Sequence, residues 1–131
     1  MKIFLDDVRN PNACVQHMFK LIGSKAYIYL HKDWEIVRDY KEFVDLVEKN
    51  IGSIDLISFD HDLASEHYHP SMLKSEEEYN SQYVSFKEKT GYDAAIWFKD
   101  LYKNHNLKLP EILIHTMNPV GFKNITNLFT K

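Results

Sequence analysis

The sequence predicts an α/β protein with a doubly wound parallel sheet, and two patterns support that expectation. Short apolar segments alternate along the chain with segments in which apolar residues recur at helical spacing. The short segments are apolar at nearly every position, which is typical of central strands that helices cover on both faces. With 131 residues, 44% of them hydrophobic, the chain has the length and apolar content for one domain with its own core. We therefore expect a single domain over residues 1–131.

Four strands are predicted, and polar residues follow three of them directly. The candidates are, in chain order, Lys2–Leu5, Glu35–Val37, Ile54–Phe59 and Ile112–Ile114. Asp6 and Asp7 follow the first, Asp60 follows the third and His115 follows the fourth. The segment Ala26–Leu30 fits either an extra strand or an extended loop.

Three helices are predicted in the remaining segments. The apolar stripes that indicate the first two are Tyr40, Phe43, Val44 and Val47, and then Ala94, Trp97, Phe98 and Leu101. Thr90, with Asp93 three residues later, is close to a capping box at the start of the second helix. The third helix is expected from about Phe122.

A long polar insert, residues 64–89, separates the third strand from the second helix. A connection of this length in a compact domain is often a functional lid or a partly helical excursion. His67 and His69 lie within it as candidates for a second metal site or for substrate contact, and the alternative is that they are surface residues.

Composition narrows the classes of function. The formal net charge of -3 argues against an extended nucleic-acid binding surface. Cys14 is the one cysteine of the chain, so no disulfide can form within it and a cysteine-rich zinc site is excluded. We find no signal peptide and no apolar run of membrane-spanning length, so we expect a cytoplasmic location and no membrane partner. The oligomeric state stays open.

The polar residues at the strand ends predict a ligand site, because open α/β sheets bind ligands outside the carboxyl ends of their strands. Asp6, Asp7 and Asp60 would repel one another there unless a cation neutralised them. Several carboxylates without cysteine favour a hard ion, with Mg²⁺ first and Mn²⁺ next. The alternative for Asp6 and Asp7 is a solvated turn with helix-capping carboxylates.

Histidines at two strand ends are candidates for proton transfer. His61 stands between Asp60 and Asp62, and a histidine that a carboxylate orients is a good acid or base near neutral pH. His115 at the neighbouring strand end could share the donor and acceptor roles. We therefore name His61, His115 and Asp62 as catalytic candidates. The alternative for each histidine is a hydrogen-bonded structural role.

Two further features suit a phosphate group. The run from Asn118 to Gly121 is a turn that feeds the last helix, and the N–H groups at a helix start can bind phosphate. Arg9 could hold a phosphate with two parallel hydrogen bonds. The alternatives are a plain turn at Asn118 and a pairing of Arg9 with a nearby aspartate.

Four motifs together resemble the cyclic-phosphate-processing receiver domain family, which is related in fold to response-regulator receivers. They lie, in chain order, at Leu5–Pro11, Ser58–Leu63, Thr90–Asp93 and His115–Gly121. The resemblance covers nearly the whole chain. It implies a flavodoxin-like or receiver-like sheet and the processing of a cyclic phosphate, either a cyclic nucleotide or a 2′,3′-cyclic phosphate at an RNA end.

The resemblance also implies roles for single positions. Asp6 and Asp7 match the acidic pair that binds Mg²⁺, and Asp60 matches the aspartate that is phosphorylated in signalling receivers. Thr116 matches the hydroxyl residue after the fourth strand. The sequence departs from signalling receivers in three respects: we find no fifth strand, no phosphate-holding lysine, and two additional histidines, His61 and His115.

Three hypotheses follow. The leading one is a metal-dependent phosphoesterase of the cyclic phosphodiesterase type, with a small nucleotide or an RNA end as substrate. Asp6, Asp7 and Asp60 would hold the metal, while Arg9, Thr116, Asn118 and Gly121 would bind the phosphate. The second is a stand-alone signalling receiver that is phosphorylated on Asp60. The third is a module that binds a nucleotide without cleaving it.

Overall fold

A four-stranded parallel sheet forms the centre of the computed structural model, which describes residues 1–63 and 89–130. The strands are β1 (Lys2–Leu5), β2 (Trp34–Val37), β3 (Leu56–Phe59) and β4 (Glu111–Ile114). Their order in the sheet is β2-β1-β3-β4, and each neighbouring pair is parallel. The predicted α/β, receiver-like sheet is thereby confirmed, and the described ranges contain no fifth strand.

The register of the sheet brings the loops of three strands to one edge. The last residues of β1, β3 and β4 are aligned with one another. The pairing continues one residue further, because the Asp60 N–H donates to the Leu5 carbonyl at 2.9 Å and the His115 N–H donates to the Phe59 carbonyl at 2.9 Å. Asp6, Asp60 and His115 therefore start their loops side by side.

Helices cover both faces of this sheet. They are α1 (Val15–Ile22), α2 (Tyr40–Lys49), α3 (Gly91–Asn104) and α4 (Pro119–Thr130), and two 3-10 segments, Pro11–Cys14 and Gly23–Leu30, flank α1. Side chains alternate along β1, so that Ile3 and Leu5 join the core under α2, α3 and α4, whereas Phe4 joins the core under α1. This two-sided burial explains why β1 and β3 are apolar at every position but one.

Several predicted boundaries are corrected. Ala26–Leu30 is neither a strand nor an extended loop but part of a 3-10 segment, which turns Ala26 and Tyr29 into the core. The segment before it, where the sequence predicted no helix, contains α1. Helix α4 begins at Pro119 instead of Phe122, because proline suits the first helical position. Strand β3 begins at Leu56, since its pairing with β1 starts there.

The predicted insert over residues 64–89, including His67 and His69, lies outside the described residues except for Lys89. In the two described ranges, no helix combines the length and the apolar character that crossing a bilayer requires.

Candidate functional site

A cleft of about 510 Å³ opens at the carboxyl edge of the sheet. The loops that follow β1, β3 and β4 form its walls, as expected for an open α/β sheet. Its lining residues are Val8, Arg9, Asp60, Asp62, Thr116, Met117, Asn118 and Pro119. Five of the residues predicted for the site, namely Arg9, Asp60, Asp62, Thr116 and Asn118, are therefore brought together.

Asp6 lies behind the cleft wall, fully buried, with all of its acceptor capacity in use. Its Oδ1 accepts the N–H groups of Val8 at 3.0 Å and Arg9 at 2.8 Å. Its Oδ2 accepts Arg9 Nε at 2.9 Å and lies 3.1 Å from Nε2 of His115. Burial by itself would raise the pKa of Asp6, but the bonds from His115 and from the two backbone N–H groups outweigh it. The pKa is held well below its usual range, so Asp6 is a carboxylate.

His115 is fully buried behind Asp6, and protein groups engage both of its ring nitrogens. Nδ1 lies 2.6 Å from the Ser58 hydroxyl, which in turn lies 2.6 Å from the Tyr29 hydroxyl. Burial lowers the pKa of His115 to about 4 even though Asp6 opposes the shift. The ring is therefore neutral at pH 7, with one N–H donor and one acceptor.

The charge of Asp6 settles the direction of this hydrogen-bonded chain. A carboxylate can only accept, so His115 carries its proton on Nε2 and donates it to Asp6. Nδ1 is then the acceptor for Ser58, and the Ser58 oxygen accepts from Tyr29. This position favours a role for His115 in orienting Asp6 over the direct proton transfer that the sequence suggested.

The three predicted metal ligands lie together. Asp6, Asp7 and Asp60 each offer a carboxylate oxygen within 4.8 Å of the other two. Burial, reinforced by the charge of Asp6, raises the pKa of Asp60 to about 8. Asp60 is thus mostly protonated at pH 7 unless a cation favours its ionised form.

By donor type and spacing, this set suits Mg²⁺, which prefers hard oxygen ligands. Asp6 imposes one condition, because it would ligate an ion only by giving up one of its four hydrogen bonds. The bond from Arg9 Nε is the one to give up, because a bound cation would take over the positive charge that the guanidinium places beside Asp6.

Two arginines organise the loop after β1. Arg9 bridges two carboxylates: Nε is bonded to Asp6, and Nη2 lies 3.5 Å from Oδ1 of Asp60. The expected alternative, pairing with an aspartate, is confirmed for Arg9. A guanidinium has five N–H donors, so these contacts still allow Arg9 to bind a ligand. Arg38, at the end of β2, holds the loop by donating to the carbonyl oxygens of Asp6 at 3.2 Å and Arg9 at 2.6 Å.

The loops after β3 and β4 are joined through Asp62. Its Oδ1 lies 3.1 Å from Nδ1 of the buried His61, and its two oxygens accept from Nδ2 of Asn118 at 3.4 and 3.3 Å. The backbone N–H of Asn118 donates to the Thr116 hydroxyl at 3.1 Å. Asp62 therefore lines the cleft with a carboxylate that both His61 and Asn118 hold in position.

Gly121 lies in the first turn of α4, and its backbone N–H already has a partner within the protein. Its N–H donates at 3.1 Å to the Asn118 side chain, which caps α4. A Cβ at Gly121 would lie 2.5 Å from Cγ of His61, so glycine is required for the ring to pack there. The phosphate-binding role predicted for Gly121 would have to compete with this cap.

Sequence reasoning missed four residues that shape the site. Ser58 and Tyr29 support His115, Arg38 supports the loop after β1, and Gly91 lets α3 approach the site. A Cβ at Gly91 would stand 1.6 Å from the carbonyl oxygen of Asp60. Ser58 had a visible signal, as the polar residue in an otherwise apolar strand; Tyr29 had none.

Comparison with protein families gives a match to the cyclic-phosphate processing receiver domain, over residues 1–131. The searches of curated proteins and of solved structures find no match. The matched range includes every strand, helix and loop that forms the cleft.

Proposed function

The chain belongs to the cyclic-phosphate processing receiver domain family, and on that premise we propose that it is a metal-dependent phosphoesterase that opens a cyclic phosphate in the cleft. The observation that carries the proposal is the meeting of a cation, a hydroxyl and carboxylates in one cleft, supplied by Arg9, Thr116, Asp60 and Asp62. None of these groups contributes to the apolar core, and together they match the needs of an anionic ester.

Arg9 is the main group for binding the phosphate. Its backbone carbonyl is held by Arg38, and its guanidinium lies beside Asp60 as well as Asp6, so part of its side-chain freedom is already lost before a ligand binds. A planar guanidinium also matches two phosphate oxygens at once. Thr116 adds a hydroxyl donor on the opposite wall.

Mg²⁺ or Mn²⁺, held by Asp7 and Asp60 with Asp6 as a third ligand, would supply charge neutralisation at the phosphoryl oxygens. A bound cation would favour the ionised form of Asp60, because it would offset the burial and the repulsion from Asp6 that raise the pKa of Asp60. The carboxylate of Asp6 would add a negative charge to the metal site, and the hydrogen bond from His115 holds that carboxylate in place.

Asp62 is the residue that we assign to proton transfer. Opening a cyclic phosphate adds water: a new P–O bond forms, one ring P–O bond breaks, and the water proton ends on the leaving oxygen. A carboxylate on the cleft wall can take that proton and return it to the leaving group. His61 and Asn118 orient Asp62, so His61 is assigned to positioning Asp62 and not to proton transfer itself.

The test is a hydrolysis screen of the purified protein with Mg²⁺ or Mn²⁺, and with chelator as the blank. The panel contains 2′,3′-cyclic and 3′,5′-cyclic mononucleotides, cyclic dinucleotides and RNA with a cyclic-phosphate end. We expect chelator-sensitive turnover of one class, reduced by about 10²-fold or more in Asp62→Asn. The matched control is Asp45→Asn, the same chemical change on the exposed face of α2, which should keep full activity.

Two results would redirect the assignment. Binding of a nucleotide without turnover of any substrate would favour the non-catalytic module. A stable mass increase after incubation with a small phosphoryl donor and Mg²⁺, lost in Asp60→Asn, would favour the signalling receiver.

A further inference from the structure

We propose that the cleft has a nucleobase subsite formed by Val8 and Met117, so that the ligand is a nucleoside phosphate and not a simple phosphate ester. This inference rests on the phosphate site proposed above. Val8 and Met117 would contact the base, whereas Arg9 and Thr116 would contact the phosphate.

Both residues expose apolar surface at the rim of the cleft. Val8 is 70% exposed and Met117 is 59% exposed, although each is next to a buried or half-buried polar site residue. Other exposed large apolar side chains, such as Phe19, Tyr27 and Leu30, are on the side of α1 and its neighbouring 3-10 segment. Val8 and Met117 instead line the same cleft as Arg9. A ligand that covers them would remove apolar surface from water and gain binding energy.

The sheet order sets the spacing between the two loops that carry these residues. Val8 is in the loop after β1 and Met117 in the loop after β4, and β3 lies between those strands. Two strand spacings separate the starts of these loops by roughly 10 Å. A flat ring that contacts an apolar group on each face needs about 7 Å between them. Because Val8 and Met117 line one cleft from different loops, a planar group that entered between these loops could be contacted on both faces.

Charge and size narrow the choice of occupant. The cleft volume of about 510 Å³ is within the usual range for small organic ligands and exceeds what a phosphate alone would fill. Asn118 lines the same cleft next to Met117, and its side-chain amide suits a group with a polar edge. Apolar faces, a polar edge and an attached anion describe a nucleotide better than an alkyl phosphate.

The test compares two ligands that share the cyclic phosphate and differ in the base. Calorimetry would measure the Kd of adenosine 2′,3′-cyclic phosphate and of glycerol 1,2-cyclic phosphate, with Mg²⁺, for a protein held below turnover by Asp62→Asn. In that background, the added pair Val8→Ser and Met117→Ser should weaken nucleotide binding about tenfold and leave glycerol cyclic phosphate unchanged. Leu30→Ser, also an exposed apolar position, should change neither.

Each outcome decides something. Equal affinity of the parent protein for both ligands, or equal weakening of both in the double variant, would overturn the base subsite alone. Failure of both ligands to bind the parent protein would overturn the phosphate site as well. Circular dichroism of each variant confirms folding, which is expected because the substituted side chains are exposed.

Discussion

At the scale of single residues, the hydrogen bonds that link Tyr29, Ser58, His115 and Asp6 all run in one direction, with each group donating to the next. Each step follows from the one before it, starting from a carboxylate that can only accept. Burial also raises the pKa of the Tyr29 hydroxyl, which keeps it a donor. The chain holds the carboxylate of Asp6 in place without contact with solvent, so a ligand meets a site that is already organised.

That direction predicts unequal costs for two small substitutions. Tyr29→Phe removes a donor and leaves Ser58 still bonded to His115, so it should lower the free energy of unfolding by about 1 kcal/mol. Ser58→Ala leaves both the Tyr29 hydroxyl and Nδ1 of His115 without their partner in a buried place, so it should cost roughly 2–5 kcal/mol. Urea denaturation of both variants measures the difference. A cost of Tyr29→Phe as large as that of Ser58→Ala would contradict the assigned direction, because in the opposite direction the Ser58 hydroxyl would lose its acceptor.

The sequence could predict which residues meet at the sheet edge, because a polar residue directly after an apolar strand is visible without a structure. Asp6, Asp60 and His115 were found in that way. It could not predict that His115 turns inward, since a residue one position past a strand can point to either side. The inward turn depends on Tyr29, whose approach to the sheet is a tertiary feature.

At the scale of elements, α3 and α4 both begin with close contacts to the loop after β3. The N–H of Gly91 donates to the carbonyl of His61 at 2.8 Å, and Gly121 packs against the His61 ring. The predicted capping box at Thr90 and Asp93 is confirmed and fixes the first turn of α3. The two helix starts hold His61 and, through it, Asp62. The periodic helices were predictable, whereas these contacts were not, because no local pattern reports how closely two backbones approach.

Gly91→Ala should be strongly destabilising, because its Cβ would meet backbone instead of a movable side chain. The nearest atom, the Asp60 carbonyl oxygen, would be 1.6 Å away. We expect a loss of about 3 kcal/mol or more in the free energy of unfolding. Gly52→Ala is the control: it has a positive φ of 83° but nothing within 4 Å of an added Cβ, so it should cost only about 1–2 kcal/mol. Equal costs in thermal denaturation would show that α3 can shift to make room.

At the scale of the whole molecule, two buried groups give folding stability opposite dependences on pH. Asp60 has a pKa raised from 3.8 to about 8, so its contribution is fully present below pH 4 and is lost as the pH rises towards 8. His115 has a pKa lowered from 6.5 to about 4, so its contribution is fully present above pH 6.5 and is lost as the pH falls towards 4. Between pH 6.5 and 8, Asp60 alone of these two groups changes its contribution.

The metal-free protein should therefore lose stability between pH 6.5 and 8, by up to about 2 kcal/mol, since a single titrating group changes the free energy of unfolding by at most about 1.4 kcal/mol per pH unit. Asp60→Asn keeps an oxygen acceptor for the His61 N–H without the charge, so its stability should be flat in this window and exceed that of the parent at pH 8. Mg²⁺ should stabilise the parent more at pH 8 than at pH 6.5, because more of Asp60 is then ionised, and should lose that pH dependence in Asp60→Asn. Denaturant titrations in chelator and in Mg²⁺ measure all three effects, with the exposed change Asp45→Asn as the control. Parallel pH profiles for the parent and Asp60→Asn would show that Asp60 is already ionised, and would assign the cation beside it to Arg9 instead of a metal.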